Sequence, residues 1–508
     1  MKKWNSILAQ RGVLKIRTNY FKKIVGGMPK TYFKCLSFLI FALIYSIPII
    51  FGFFFIERFA VNVPYWDPWS HVVPWTTAYH EGNLDISELF KQQNDSRPII
   101  SNFIMLSISL ITNLNIKTMF FIGYCIFIIS IFIIIYLLKN EINLNVTTMI
   151  LLIPFFYYPF NPFFLVRFID NVGSLFYPIM IFFAIMAIIF LDKSKNFDKN
   201  FIISIGMGIA CTFSFAAGLA IWFAGFVQLL LQKMERKLER IIVWLLFSIL
   251  TVYINYVYLE FSEEGLHSTG AIIIFLSTTL THPIQKILFL IGTFGAQMIN
   301  DRNIALFFGL VFLGITISML INNRKFLEFN RYSKWYGLLT FGLITSILVT
   351  FARSGSSLYH GYSNTIFFIP EIRHSLAIFL PIVCVYALTI IYTNNSLLKD
   401  ISPKDDLNNQ NEIIHRREYT NIFLLGMLFT LMIMGYLLHI PPGLNAGENS
   451  YSKLIDKQNI LFNYKNTPDI EFEKLYFDVS QVKIQAEKLE RLHLSVFTNK
   501  NYADRFDG

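Results

Sequence analysis

Apolar residues in this chain come in runs of about twenty, long enough at 1.5 Å of rise per residue to cross a hydrocarbon core of ~30 Å. Such runs differ from the alternation of a half-buried strand and from the one-sided stripe of a surface helix. They predict helical spans at 34–56, 117–138, 146–161, 173–191, 201–215, 218–232, 241–259, 303–321, 335–351, 375–393 and 420–440. The expected fold class is an all-α polytopic membrane protein with about 11 transmembrane helices. No repeat is evident along the chain.

Charge then orients the spans. Residues 1–33 form a basic N-terminus, acid-free and directly ahead of the first apolar run, as a cytoplasmic flank is. With that end inside, Lys193, Lys195, Lys199, Lys233, Arg236, Lys237, Arg240, Arg324, Lys325, Arg331, Lys334, Arg416 and Arg417 also fall on the cytoplasmic side. This parity requires 201–232 to be two short helices that reverse near Phe215–Gly218 rather than one long span. The first apolar run begins too late, runs too long and lacks the small-residue site of a cleaved signal peptide. The predicted organisation is therefore a cytoplasmic segment 1–33, a membrane domain 34–440 with a long first outer loop 57–116, and an outer C-terminal segment 441–508.

Composition agrees. Of 508 residues, 54% are hydrophobic and 15% charged, well below the quarter or so charged that soluble domains carry, and mean hydropathy is +0.51. The net charge of +10 sits on predicted cytoplasmic flanks, which argues against a nucleic-acid partner. Cys35, Cys125, Cys211 and Cys384 lie in or beside apolar runs, too scattered for a zinc site or a disulfide framework. The central parts of the spans carry no Asp, Glu, Lys or Arg, unlike ion-coupled transporters and proton relays.

Three outer segments stand out. In the loop 57–116, Pro98–Thr112 is an apolar run too short to span, which predicts a helix lying in the interface. A second segment, 260–302, holds another short apolar stretch at 284–299. In the tail, Leu475–Phe497 predicts an amphipathic helix with Ile484, Leu489 and Leu492 on one side, a candidate lid. The polar stretch 394–419 reads as a linker.

Candidate chemistry gathers in the outer segments. Tyr65, Trp66, Asp67, Trp69 and His71 follow the first span closely. A carboxylate between two Trp and two Pro near the membrane surface is partly desolvated and so a stronger base. The alternative is an aromatic belt with Asp67 capping the next helix. Asp95 and Arg97 precede the interfacial helix; Arg97 either holds a phosphate by forked hydrogen bonds or snorkels to headgroups. Arg353, Tyr359, His360, Arg373 and His374 lie between two spans, where the arginines either grip an anionic headgroup or anchor helix ends. Arg167 and Asp170 fit a salt-bridged loop. The histidines are too dispersed for a metal site.

A basic N-terminus, one span, an outer loop with an early acid, and an Arg-Pro opening an interfacial helix that runs into Lys117–Leu138 together resemble the GT-C superfamily of membrane glycosyltransferases. Phe213–Leu219 and the Arg353 loop resemble features of its bacterial members. So does the tail segment from Leu475, Tyr476 and Phe477 to Val496 and Phe497. Size and topology are similar to the phage and Shigella O-antigen glucosyltransferases. One departure is that many relatives carry paired acids in the first loop, whereas here Asp67 stands alone.

The resemblance implies a bacterial inner-membrane enzyme, N-terminus cytoplasmic and C-terminus periplasmic. It implies transfer of a single sugar, glucose, from a polyprenyl-phosphate donor to a glycan acceptor such as O-antigen of lipopolysaccharide, with inversion. Asp67 would be the catalytic base, and Arg97, Arg353 and Arg373 would bind the donor phosphate. Tyr65, Trp66, Trp69, His71, Asp95, Tyr359, His360 and His374 would line the cleft. Arginines at the leaving phosphate could replace a metal, so no cofactor is expected. Two other readings share the substrates: a flippase for a polyprenyl-linked glycan, which should have a hydrophilic lumen, and an O-antigen polymerase or ligase, whose large outer loop lies late in the chain.

Overall fold

The computed structural model describes residues 30–93, 97–170, 173–256, 283–296, 301–323, 328–359, 375–399 and 408–498. Among these the protein is helical, with no strand. The helices in chain order are α1 (Lys30–Phe59), α2 (Val72–His80), α3 (Ile99–Thr112), α4 (Ile116–Lys139), α5 (Val146–Tyr157), α6 (Pro162–Leu165) and α7 (Arg167–Asp170). They continue as α8 (Gly173–Lys193), α9 (Lys199–Thr212), α10 (Ala220–Leu231), α11 (Lys237–Tyr256), α12 (Pro283–Ala296) and α13 (Arg302–Asn323). The last are α14 (Ser333–Tyr359), α15 (Ser375–Lys399), α16 (Asn408–Leu438), α17 (Ile440–Phe462), α18 (Asp469–Phe472) and α19 (Val479–Arg491).

Seven helical stretches among the described residues are long and apolar enough to cross a membrane. They are Cys35–Phe59, Ile116–Lys139, Val146–Leu165, Leu175–Lys193, Lys237–Asn255, Asn303–Asn323 and Tyr419–Phe462. The predicted spans at 201–215, 218–232, 335–351 and 375–393 fall on α9, α10, α14 and α15.

Short polar residues set the helix ends. Asn115 accepts from the backbone N–H of Thr118 at 3.0 Å to open α4, and Asp198 from that of Phe201 at 3.0 Å to open α9. Asn145 and Thr148 form a reciprocal capping box on α5. Each such cap is worth roughly 1 kcal/mol. Asn113 (φ 53) and Leu114 (φ 59) both take the left-handed conformation, which turns the chain sharply from α3 into α4. Leu114 tolerates the strain because its side chain is fully buried.

Polar contacts sort the connections into two ends. At one end Lys334 pairs with Glu141 at 2.6 Å and reaches Asp192 at 3.6 Å. There Ser333 donates to Asp192 at 3.1 Å, and the backbone N–H of Lys233 to Asn330 at 2.6 Å. Buried Arg240 donates to Ser194 and to the Met234 sulfur, and Asn323 donates to Asn421 at 3.2 Å. These contacts join the α4–α5, α8–α9, α10–α11 and α13–α14 connections to α16. At the other end the backbone N–H of Ile100 donates to the Phe213 carbonyl at 2.9 Å, and that of Arg97 to Asn255 at 3.2 Å. The chain therefore reverses between α9 and α10, as the charge argument requires, through a 3-10 turn at Ala216–Leu219.

Three expectations change. The amphipathic tail helix is shorter than 475–497, covering Val479–Arg491, and its buried face is Val482, Ala486 and Leu489, with Ile484 57% exposed. The stretch 394–419 is helical at both described ends, in α15 and α16, and Arg167–Asp170 is a helical turn rather than a loop. Residues 1–29, 257–282 and 400–407, which include much of the expected basic N-terminus, second outer segment and linker, lie outside the described residues.

Candidate functional site

The chain leaves α1 at Phe59 and is tied at once to the start of α4: the Asn62 carboxamide oxygen accepts from the Ile116 N–H at 2.8 Å. Trp69, fully buried, closes the next stretch by donating its indole N–H to the Pro64 carbonyl at 3.0 Å. Trp69 thus braces the turn from within. Between these two residues Trp66 takes φ 60 and ψ −121, a region costly for any residue with a Cβ. It is held there by its own N–H, which donates to the Leu475 carbonyl at 3.0 Å. Trp66 is 44% exposed.

Asp67 follows Trp66 and opens the 3-10 turn Asp67–Trp69, with proline next to set φ. The carbonyl of Asp67 accepts from the Ser70 N–H at 3.1 Å and from the Ser70 hydroxyl at 3.0 Å. Helix α2 begins after His71 with no side-chain cap, so Asp67 is not the helix cap that was the alternative reading. Its carboxylate acts on His71 instead. Burial pushes the His71 imidazole below its ordinary value, and the Asp67 charge and the Ser70 carbonyl oppose that shift in part. The imidazole lies along Trp75, ring centroids 5.7 Å apart. A half-buried carboxylate beside a neutral imidazole on a strained turn can take up a proton from a hydroxyl brought to it.

The other walls come from the far end of the sequence. From α17, Lys457, 8% exposed, places its ammonium 3.1 Å from the centroid of the Tyr65 ring. From α19, Gln481 donates to the Trp69 carbonyl at 2.8 Å, Thr77 donates to Gln485 at 2.9 Å, and Lys488 pairs with Glu81 at 2.8 Å. Arg491 pairs with the same carboxylate. Gln481, Gln485 and Lys488 recur at helical spacing, so one face of α19 lies along α2. The hydrogen bond from Lys488, then the charges of Lys488 and Arg491, hold the Glu81 carboxyl below the usual range against a small opposing burial effect.

Sequence reasoning missed Lys457. Its signal is a lysine inside the buried stripe Leu454, Lys457, Leu461, at i, i+3 and i+7.

Arg97 enters from the other end of α3. Ser101 donates to the Ser214 carbonyl at 2.8 Å, so the N-terminal end of α3 docks on the α9–α10 reversal. Ser109, near the C-terminal end of α3, shares a 2.7 Å hydrogen bond with Thr76 of α2. Residues 97 and 109 are separated by roughly 18 Å along the helix. The structure thus gathers Tyr65, Trp66, Asp67, Trp69 and His71 with Lys457 and Gln481, and sets Arg97 beside Asn255. Arg353 and Tyr359 fall on the C-terminal part of α14, whose side chains there lie outside the description. Asp95, His360, Arg373 and His374 lie outside the described residues. Among the described residues no three His, Cys, Asp or Glu side chains come together as metal ligands.

No family model matches the chain, and no solved structure matches it. A protein of Archaeoglobus fulgidus, itself uncharacterised, is 36% identical over 240 residues, which is 47% of this chain. The match covers 57% of that relative, so this chain spans little more than half of its length.

Proposed function

We propose that this chain is a multi-pass membrane glycosyltransferase of the GT-C type. It transfers one sugar, glucose, from a polyprenyl-phosphate donor to a cell-surface glycan such as O-antigen, with inversion. The observation that carries the reading is the Asp67 turn: a half-buried carboxylate beside His71, on a strained backbone, walled by α17 and α19. A carboxylate so placed suits a general base whose position must be fixed before the acceptor arrives.

In the proposed step Asp67 accepts the proton of an acceptor hydroxyl while that oxygen attacks the anomeric carbon. The bond from that carbon to the donor phosphate breaks, its electron pair leaves with polyprenyl phosphate, and the configuration inverts. Arg353 and Arg373 are the proposed cations for the leaving phosphate; Arg97, beside Asn255 at the far end of α3, is not placed to meet it. Tyr65, Trp66 and His71 are the proposed cleft residues nearest the base.

The proposed topology has eleven crossings, with the end bearing Lys233, Arg240, Arg331 and Lys334 in the cytoplasm and the Asp67 end facing the periplasm. In it α9 and α10, each about 20 Å long, complete their crossings with the residues of their connections.

The test is release of polyprenyl phosphate from a labelled polyprenyl-phosphate sugar by the purified chain with an acceptor glycan. The wild type should release it, and Asp67→Asn should lower the rate by about 10²-fold or more with an unchanged melting temperature. Full activity in that variant would remove the mechanism. Translocation of the donor without release would favour a flippase, and joining of preassembled oligosaccharides a polymerase or ligase.

A further inference from the structure

A second feature lies on the outer flank of α1, apart from the base and independent of the proposed reaction. The apolar run of α1 ends at Ile56, and Glu57 and Arg58 follow in its last turn. Helix α4 begins at Ile116, and Lys117 is its first charge. The Lys117 ammonium pairs with the Glu57 carboxylate at 2.9 Å and donates to the Glu57 carbonyl at 2.8 Å. The two helices therefore leave the apolar zone at one level.

Between them and α17 is a groove of about 530 Å³. Its floor is Ala60, Val61 and Asn62, Tyr451 and Ile455 form the α17 wall, and Phe54 lies one turn down α1. Lys117 is occupied by Glu57. Arg58 is not: its guanidinium stands 5.8 Å from the Tyr451 ring centroid, and among the described residues no carboxylate lies within ion-pair distance of it. Phe54 is 69% exposed. The groove thus offers an uncompensated, ring-braced guanidinium above and bare aromatic surface below, the order in which an amphiphile carries its anion and its chains.

We propose that this groove seats the phosphate of an anionic membrane phospholipid, held by Arg58 with its acyl chains along Phe54. Arg58 supplies the forked donors that a phosphate accepts, and the Tyr451 ring stands beside the guanidinium. The volume accommodates a headgroup with its glycerol, more than a bare ion needs.

The test uses the full chain in detergent micelles doped with phosphatidylglycerol or phosphatidylcholine, with retained lipid counted by native mass spectrometry. Phosphatidylglycerol should be retained in preference to phosphatidylcholine. Arg58→Gln should lower that preference about fivefold, the effect of one basic residue near an anionic surface. Glu57→Gln should raise it, because it releases Lys117 toward the groove. Millimolar inorganic phosphate should leave the lipid in place. Equal retention of the two lipids, insensitivity to both substitutions, or displacement by inorganic phosphate would each overturn the assignment, the last by making the ligand a free anion.

Discussion

The side-chain amide of Gln481 donates to the carbonyl oxygen of Trp69 at 2.8 Å, so a helix near the end of the chain is bonded to the turn that carries Asp67. The backbone adds a second tie, from the Trp66 N–H to the Leu475 carbonyl at 3.0 Å. These two bonds flank Asp67 on either side. The turn cannot relax its strained Trp66 without breaking one of them, and α19 cannot lift away without freeing the turn.

Removing the Gln481 tie should loosen both partners. Gln481→Leu leaves the Trp69 carbonyl, on a fully buried residue, without that donor, at a cost of about 1 to 3 kcal/mol. Hydrogen exchange over 479–491 should accelerate about fivefold or more, and over 66–70 as well. Acceleration in the tail alone would mean that the turn is held by other contacts.

The Glu81 contacts predict a latch that responds to charge, salt and acid. The Glu81 carboxyl is held below its usual range chiefly by Lys488 and then Arg491, so it binds protons less readily when folded than when unfolded. Its contribution is therefore complete above the unfolded carboxyl value and is lost as pH falls through the lower folded value. Glu81→Lys should detach α19, read as proteolytic cleavage between 463 and 478, and Lys488→Glu with Arg491→Glu in the same chain should restore resistance. Molar salt should mimic part of the single substitution, because both cations reach solvent.

The apolar runs made the main helices legible, and the charge parity made the α9–α10 reversal legible, because both follow from the cost of placing charge or unpaired backbone in an apolar layer. The Asp67 cluster could be read because two Trp, two Pro and an acid rarely fall together by composition alone. Lys457 and Gln481 could not be read in that way. Both sit on helices of ordinary polar composition, and their importance lies in contacts with Tyr65 and Trp69 nearly the whole chain away. Ile484 misled for a related reason. It belongs to the apolar set by type, but the face that is buried bears Val482, Ala486 and Leu489, and Ile484 lies off it.

His71 predicts a pH dependence of opposite origin to that of Glu81. Burial against Trp75 lowers the imidazole below its free value of about 6.5, with Asp67 opposing. The folded chain thus prefers neutral His71. Its contribution is complete above the unfolded value and declines as pH drops through the lower folded one. Asp67→Asn removes the opposing charge and should lower the imidazole value further, measurable by NMR of ring-labelled histidine. His71→Phe should flatten the loss of thermal stability as pH falls below about 6.5. A His71 that titrates at or above its free value would overturn this account.

Two glycines predict stability changes of opposite sign. Trp244, fully buried, donates its indole N–H to the Trp222 carbonyl at 2.9 Å, and Trp222 donates its own to the Thr212 hydroxyl at 2.9 Å. The two rings lie 4.9 Å apart, so neither can turn aside without losing a buried hydrogen bond at the α9–α10 reversal. A methyl group on Gly225 of α10 would overlap the six-membered ring of Trp244. Gly225→Ala should therefore destabilise by about 1 to 3 kcal/mol, despite alanine's better helix propensity. Gly206 of α9 is exposed, and a methyl group there meets nothing within 4 Å. Gly206→Ala should be neutral or stabilise by up to about 1 kcal/mol. Thermal denaturation of the two variants side by side, in one detergent, checks the pair: a lowered midpoint for Gly225→Ala and an unchanged or raised one for Gly206→Ala. Equal midpoints would mean that α10 can shift away from Trp244, and the paired indoles would then not be the rigid element that fixes the reversal.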